Sequence, residues 1–218
     1  MMQESLIIDN TIQFVKNTLK NAEGGHDWFH IERVWKSALN IAKDTPCTIL
    51  VVELGALLHD IADSKFHDGD ETKGPLLAKS FLESLDLTED ITEHVVKIIQ
   101  NISYSGGNHQ QAFKSIELDI IQDADRLDAL GAIGIARAFN YGGYKNRGMY
   151  DPAIPPQLNM TKEQYKKSQA PTINHFYEKL LLLKDKMNTE KGKKLAQKRH
   201  KFLEIYLEQF YGEWEGQK

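Results

Sequence analysis

The chain alternates amphipathic segments with short polar breaks, and its apolar residues recur at helical spacing almost throughout. Near the N-terminus, Ile8, Ile12, Val15 and Leu19 mark one helix face, and a glycine pair at 24–25 ends that segment. The pattern also predicts helices that begin after Asp27, Thr48 and Thr88, and helices over 75–85, 116–139, 172–187 and 190–210. No strand pattern of any strength is present, so the expected fold is a single all-α domain.

One helical segment contains a polar pair that its apolar surroundings do not explain. In LGALLHDIAD (54–63), His59 and Asp60 are adjacent within an otherwise apolar run. Burying two polar groups costs several kcal/mol (roughly 2–7 for each) unless a partner compensates them. Neighbouring positions lie about 100° apart on a helix, so both side chains can reach one point at its side.

Two further helices direct polar groups inward. His30 shares a face with the apolar residues of its helix. In IIQDADRLDALGAIG (120–134), Asp125 and Asp128 lie on the apolar face, and Asp123, about 200° from Asp125, is predicted to lie outside.

Imidazoles and carboxylates from three helices can therefore converge on one ion. Two neutral nitrogens and two anionic oxygens suit Mn²⁺, Fe²⁺, Co²⁺, Ni²⁺ or Mg²⁺ better than a closed structural zinc site. An octahedral ion with four protein ligands keeps two positions open for water or substrate. The alternatives are a hydrogen-bonded core histidine at His30 and an ion pair between Asp125 and Arg126.

Composition narrows the function classes without selecting one. The 218 residues are 41% hydrophobic and 27% charged, with a formal net charge of -4, which gives no general attraction to nucleic acid or anionic lipid. A lone cysteine, Cys47, excludes a disulfide framework within the chain. The segment MMQESLIIDN lacks a leader pattern and the apolar stretch 49–62 is interrupted by charges, so a cytoplasmic protein without a membrane or nucleic-acid partner is expected.

Three motifs resemble the HD-domain superfamily of metal-dependent phosphohydrolases, which is named for its H…HD…D ligands on an all-helical core. They are HDWFH (26–30), LLHDIAD (57–63) and DADRLDALGAIG (123–134). The resemblance implies an HD-domain helical bundle as one domain over 1–218, with a metal-binding core at about 20–140 and a loop and C-terminal helices over 140–218. It implies these metal ligands: His30, His59, Asp60 and Asp125.

Families of this type that bind two metals add histidines between the HD pair and the last aspartate. Here that interval contains His67, His94 and His109, of which the first and last lie in polar loops. The helix that often supplies such a histidine reads QNISYSGG instead. The resemblance therefore favours one divalent ion, with Mn²⁺ as the first choice.

The resemblance and the spacing also nominate catalytic residues. Asp63 lies one turn after the HD pair, where alarmone-hydrolase relatives use an acidic residue; alternatively, it pairs with Lys65. Asp128 is a candidate for a proton relay or an outer partner of the site, or else a structural partner of Arg126. His26 is a candidate to protonate a leaving phosphate oxygen or contact the substrate, or else belongs to the helix start.

The segment NYGGYKNRGMYDPAIPP (140–156) is a long loop candidate, rich in glycine and tyrosine, and such loops usually have a function. Its cations can neutralise phosphates and its tyrosines can stack on a base; alternatively, the lysines are ordinary surface and the tyrosines pin the loop. The candidate substrate-binding residues are Lys145, Arg147 and Tyr144 of this segment, together with Arg33 and Lys65 elsewhere in the chain.

The resemblance implies a hydrolase of small phosphorylated molecules, foremost nucleotides. The sharpest expectation is hydrolysis of a (deoxy)nucleoside triphosphate to monophosphate and pyrophosphate by a metal-activated water. A nucleoside monophosphate phosphatase (5′-nucleotidase), an alarmone hydrolase and a nucleotide-sensing helical module are the alternatives. The expected partner is a small phosphorylated substrate, and a homodimer is left open.

Overall fold

The computed structural model describes residues 3–20, 22, 26–61, 72–102 and 113–218, and within them every regular element is a helix. The all-α class predicted from the sequence is confirmed. The α-helices are α1 (Glu4–Thr18), α2 (Trp28–Ala42), α3 (Ile49–Leu58), α4 (Lys73–Glu83), α5 (Glu89–Asn101), α6 (Ile116–Asp128), α7 (Gly131–Tyr144), α8 (Lys162–Lys167), α9 (Thr172–Glu178) and α10 (Glu190–Trp214), with a 3₁₀ helix at Leu180–Lys186. No helix in the described ranges has both the length and the apolar character needed to cross a membrane.

The chain divides into two compact units, Met1–Ala124 (unit 1) and Asp125–Lys218 (unit 2). In unit 1, α3 packs against α1, α2 and α5. Its sequence is apolar on nearly all sides, which is typical of a helix enclosed by others, and Leu50–Leu58 is buried at every position except Glu53. Gly55 allows close packing, because an added Cβ would lie 2.6 Å from Ile121 Cδ1 of α6.

Unit 2 is built from α7, α9, the 3₁₀ helix and α10 around an aromatic cluster. Phe176 of α9 stacks on Tyr206 of α10, with ring centroids 5.8 Å apart, and Phe139 of α7 lies 6.0 Å from Phe176. Phe176 is fully buried. Large rings bury much apolar area each, so this cluster is the centre of the unit 2 core.

The segment 145–161 is anchored along its length to the elements that follow it. The first two amides of α9, on Thr172 and Ile173, donate to the carbonyls of Gly148 and Met149. These N–H groups have no partner inside their own helix, so the segment caps α9. Asn174 Nδ2 also donates to the Ile154 carbonyl at 2.9 Å.

Several predicted boundaries are wrong. The helix expected over 116–139 breaks at 129–130, because Gly131 adopts φ +69° and starts α7. Then α7 continues to Tyr144, into the predicted loop, because Gly142 lets it pack on Thr172. The helix α8 was missed, and the segment expected at 172–187 is α9 followed by the 3₁₀ helix.

Candidate metal centre

His30 lies in the first turn of α2 and points into unit 1. Asp27 is the N-cap of this helix, and its carboxylate accepts a hydrogen bond from the His30 backbone N–H at 3.0 Å. The helical period that buries Val34 and Ala38 also buries His30, whose exposed fraction is 2%. The inward direction predicted for His30 is confirmed.

His59 and Asp60 stand at the end of α3. His59 is the C-cap residue and Asp60 occupies the turn that follows. His59 is 7% exposed, and the Asp60 side chain is 15% exposed. The polar pair is therefore largely withdrawn from water, as the apolar run around it predicts.

The three side chains of His30, His59 and Asp60, called here the HD triad, converge. One donor atom from each lies within 4.8 Å of the donor atoms of the other two. The two imidazole rings meet edge to face, with centroids 5.3 Å apart, and His30 Nε2 lies 3.9 Å from Asp60 Oδ2. Within the described ranges, no other group of three such side chains has this spacing.

The backbone of α3 fixes the tautomer of His59. Its Nδ1 lies 2.8 Å from the Ala56 carbonyl oxygen, which can only accept, so Nδ1 carries the proton. In the neutral ring the buried Nε2 then holds the lone pair. An imidazole with one nitrogen bound to a carbonyl and the other free of a proton is oriented as a metal ligand.

Asp60 is held in its ionised form. Burial raises the pKa of its carboxyl group, but the hydrogen bond from His26 and the electrostatic attraction of the nearby imidazoles of His59, His26 and His30 outweigh burial and lower the pKa to about 2. His26 Nδ1 lies 2.6 Å from Asp60 Oδ2. An ionised carboxylate only accepts, so His26 donates in this bond.

The HD triad fits a divalent cation. It offers two imidazole nitrogens and one anionic oxygen, a borderline-to-hard set that suits Mn²⁺ and its neighbours. Donors at about 2.1 Å from an ion lie at most about 4.2 Å apart, so small side-chain movements bring the three atoms of the HD triad to coordinating distances. All three side chains belong to unit 1.

The fourth predicted ligand, Asp125, lies in α6 and is half-buried. Its place in the metal site stays a prediction. The orientation predicted for its neighbour was wrong, because Asp123 is buried with 0% exposure. The helix α6 is buried on more than one side near this point, because the consecutive residues Ile121, Gln122 and Asp123 are all buried, so a single apolar stripe does not describe it.

Asp128 has a defined structural partner. Its side chain is 3% exposed and its Oδ2 accepts from Arg137 Nη1 at 2.7 Å. The alternative partner, Arg126, instead donates to the Lys186 carbonyl. Arg199 of α10 donates to the Leu127 carbonyl, so two guanidinium groups hold the end of α6.

The predicted substrate-binding residues of unit 2 have different environments. Arg147 Nη2 donates to the Ser168 carbonyl at 2.6 Å, which uses part of its guanidinium to anchor the chain. Tyr144 is 65% exposed, Tyr141 is 44% exposed, and Lys145 Nζ lies 5.0 and 5.7 Å from their ring centroids. Tyr150 instead packs edge to face against Trp214, with ring centroids 5.0 Å apart.

The remaining predicted catalytic and substrate-binding residues are not members of the HD triad. Asp63 and Lys65, like His67 and His109, lie outside the described residues. Arg33 lies in α2 and is half-buried.

His94 contacts groups of unit 1 away from the HD triad. Its Nε2 lies 3.0 Å from Ser115 Oγ and 3.5 Å from Glu117 Oε2.

Two contacts were not predicted from the sequence: one involves the HD triad and the other is at the end of α6 in unit 2. His26 was singled out for its spacing to His30, and that spacing does not reveal its bond to Asp60 across 34 residues. Arg199 stands at helical spacing with Leu195 and Phe202, and a cation on an apolar stripe is the signal that indicates a buried partner.

Comparison with known proteins agrees with this geometry. A model of the HD domain family matches residues 28–130, which contain all four predicted ligands. YpgQ of Bacillus subtilis is 34% identical over 199 residues, which are 90% of this chain and 88% of that protein.

Solved structures extend the likeness over the whole chain. A crystal structure of an HD-superfamily hydrolase from Bacillus thuringiensis is 44% identical, with a TM-score of 0.79 over 98% of this chain and 99% of that one. A crystal structure of Bacillus subtilis YpgQ in complex with ADP is 32% identical, with a TM-score of 0.74 over 97% of each chain. The chain therefore belongs to the HD-domain superfamily of hydrolases.

Proposed function

We propose that the protein is a divalent-metal-dependent nucleotide hydrolase, and that its preferred reaction converts a (deoxy)nucleoside triphosphate to the monophosphate and pyrophosphate. The observation that carries the proposal is the HD triad, a buried set of two imidazoles and one ionised carboxylate within 4.8 Å. Mn²⁺ is the cation that we expect to support the highest activity.

The chain's own residues would hold the cation through His30, His59 and Asp60, with Asp125 as the predicted fourth ligand. When bound, a divalent cation supplies Lewis acidity toward phosphate oxygens and lowers the pKa of coordinated water. The Ala56 carbonyl keeps the His59 proton on Nδ1, and His26 keeps the Asp60 carboxylate ionised and oriented. Both interactions prepare the ligands before any ion arrives.

A nucleotide is supported as the substrate class by a relative and by surface chemistry. The similar YpgQ protein has been crystallised with ADP. In unit 2, Tyr141 and Tyr144 expose aromatic rings beside the Lys145 ammonium, a combination suited to a base and a phosphate. Arg147 donates one N–H to the Ser168 carbonyl, and its guanidinium lies 5.7 Å from the Tyr141 ring centroid, so it stays a candidate phosphate ligand at this surface.

The reaction that we propose breaks the bond between the α-phosphorus and the oxygen that bridges it to the β-phosphorus. Water supplies the new oxygen on the α-phosphorus, its protons pass to solvent, and pyrophosphate leaves with the bridging oxygen. Such a transfer depends on positioning and charge stabilisation more than on covalent catalysis. Asp63 is the sequence-based candidate to orient the water, and Lys65 the candidate to neutralise phosphate.

Product analysis tests this proposal directly. Chelator-treated protein is supplied with Mn²⁺ and each dNTP in ¹⁸O-labelled water, and products are separated by anion-exchange chromatography and mass analysis. We expect equal amounts of monophosphate and pyrophosphate, with the label in the monophosphate. Release of orthophosphate alone would refute the pyrophosphohydrolase.

Variants connect the activity to the site. His59→Ala and Asp125→Ala should each lose nearly all turnover, while His94→Phe should keep it, because His94 contacts Ser115 and Glu117 instead. Thermal stabilisation by nucleotides without any product, over the full series of divalent cations, would overturn the hydrolase and favour a nucleotide-sensing module.

A further inference from the structure

Two consecutive residues at the entrance of α2 each hold one member of the HD triad. Asp27 accepts a hydrogen bond from the backbone N–H of His30, in its own helix. His26 donates to the carboxylate of Asp60, which lies 34 residues further along the chain at the end of α3. The dipeptide therefore connects a ligand on one helix to a ligand on another.

The bond from His26 has a determined direction. The separation of 2.6 Å between Nδ1 and Oδ2 is within hydrogen-bonding distance, and the ionised acceptor makes this a charge-assisted bond. Both side chains are mostly withdrawn from water, with 22% exposure for His26 and 15% for Asp60. Removing such a donor leaves a charged oxygen poorly compensated.

The same contacts limit what else His26 can do. Its Nδ1 proton is already donated to Asp60, so this proton is not directed at a leaving phosphate oxygen. The ring also lies edge to face with His30 at a centroid separation of 5.9 Å, which fixes its orientation. The match to the family model begins at residue 28, so His26 precedes the matched region.

We infer that His26 is a positioning residue for the metal site: by holding Asp60 Oδ2, it fixes the carboxylate in the orientation that accepts a divalent cation. This inference rests on the proposed function only in taking the HD triad as metal ligands. It assigns to His26 no contact with the substrate. Outer partners of metal ligands typically change metal affinity about 10–100-fold when they are removed.

Isosteric variants separate the hydrogen bond from the ring. His26→Phe keeps a ring and removes the donor. His26→Asn places an amide N–H near the position of Nδ1, whereas His26→Gln places it near the position of Nε2. A matched control is His94→Phe, because His94 is a comparably exposed histidine of unit 1 that also neighbours a carboxylate, at 3.5 Å.

The readout is Mn²⁺ affinity measured without nucleotide, by calorimetry or electron paramagnetic resonance on chelator-treated protein. We expect His26→Phe and His26→Gln to weaken Mn²⁺ binding about 10–100-fold. His26→Asn should stay within about threefold of the parent protein, because the hydrogen bond is restored. His94→Phe should be unchanged. If His26→Phe does not fold, the comparison of Asn with Gln still decides the question.

Other outcomes overturn the inference in distinguishable ways. Unchanged Mn²⁺ affinity in His26→Phe and His26→Gln with a lower kcat would make His26 a residue that acts on the substrate. Lower thermal stability with unchanged Mn²⁺ affinity would make it purely structural. A shift in Mn²⁺ affinity in a protein that hydrolyses no nucleotide would keep the inference and refute the proposed function. If the parent protein binds no divalent cation, both fail together.

Discussion

The ion pair between Asp128 and Arg137 allows a structural role of the Asp128 carboxylate to be distinguished from a catalytic role. Asp128 was a candidate proton relay, yet it is 3% exposed and accepts from Arg137 Nη1 at 2.7 Å. Burial lowers the pKa of the Arg199 guanidinium, and the nearby charge of Asp128 partly opposes that shift. The pair therefore stabilises the end of α6 within unit 2.

The perturbation is Arg137→Met, which keeps the length of the side chain and removes its charge. Breaking a buried ion pair by deleting one partner costs about 3–5 kcal/mol, because the remaining charge loses its compensation. The Arg137 side chain is 24% exposed, so water reaches part of the site and the lower end of this range applies. We expect a loss of about 3 kcal/mol in the free energy of unfolding, or about 6–12 °C in Tm for a chain of this size.

The assay is urea unfolding followed by circular dichroism, with thermal unfolding as a second measurement. Lys36→Met is the matched control, because Lys36 pairs with Glu32 at 3.1 Å on an exposed helix face and should change stability by less than about 0.5 kcal/mol. A change in Arg137→Met no larger than that control would refute the structural role. Loss of turnover in Asp128→Asn with unchanged stability would instead support the proton relay.

Three further predictions concern other residues of unit 2. Gly142→Ala should lose about 1–3 kcal/mol of stability, because the new Cβ would lie 2.1 Å from Thr172 Oγ1, and Thr172→Ala in the same chain should recover part of the loss in urea unfolding. Tyr150→Ala should lose about 3 kcal/mol through its ring contacts with Phe210, Tyr211 and Trp214, whereas the exposed Tyr144→Ala should change unfolding by less than about 0.5 kcal/mol and instead weaken nucleotide binding, by about 1–3 kcal/mol in calorimetry. Burial, with the charges of Lys179 and Arg147, lowers the pKa of His175 from 6.5 to about 3, so its contribution to stability is complete above pH 6.5 and falls as the pH drops toward 3. We expect a loss of about 3 kcal/mol between pH 6.5 and 4 that is absent in His175→Gln; equal pH slopes in the two proteins would contradict this assignment.

The buried face of a helix was predictable from the sequence where the helix has one apolar stripe. It was not predictable where the helix is buried on several sides. On α2, the spacing of His30, Val34 and Ala38 gave the correct inner face, because one face of that helix meets the core and the other meets water. On α6, the same reasoning placed Asp123 outside, although it is fully buried. Periodicity contains no information about orientation when more than one side of a helix is covered.

The positions where helices begin and end also have either a local or a tertiary cause. The capping box of α8, in which Thr161 and Gln164 exchange hydrogen bonds between side chain and backbone, is a local pattern that the sequence itself contains. The extension of α7 to Tyr144 depends on Gly142 meeting Thr172, a contact between residues 30 positions apart. Glycine-rich sequence alone predicts a loop there, and only the packing of α9 makes it helical.

The candidate metal site depends on local sequence patterns and on tertiary contacts. The residue types of His30, His59 and Asp60 follow from the motifs, because burial of adjacent polar groups in an apolar run requires compensation. The helix predicted to carry His59 and Asp60 instead ends at Leu58, so this pair lies just beyond it. The orientation of these ligands does not follow from the motifs, because it is set by hydrogen bonds that the motifs do not show. The partner of His59 is the backbone carbonyl of Ala56, and the partner of Asp60 is the side chain of His26, which is distant in sequence. A motif thus names the atoms that can bind an ion, whereas the tautomer and the carboxylate rotamer that make binding favourable are set by hydrogen bonds that form only in the folded chain.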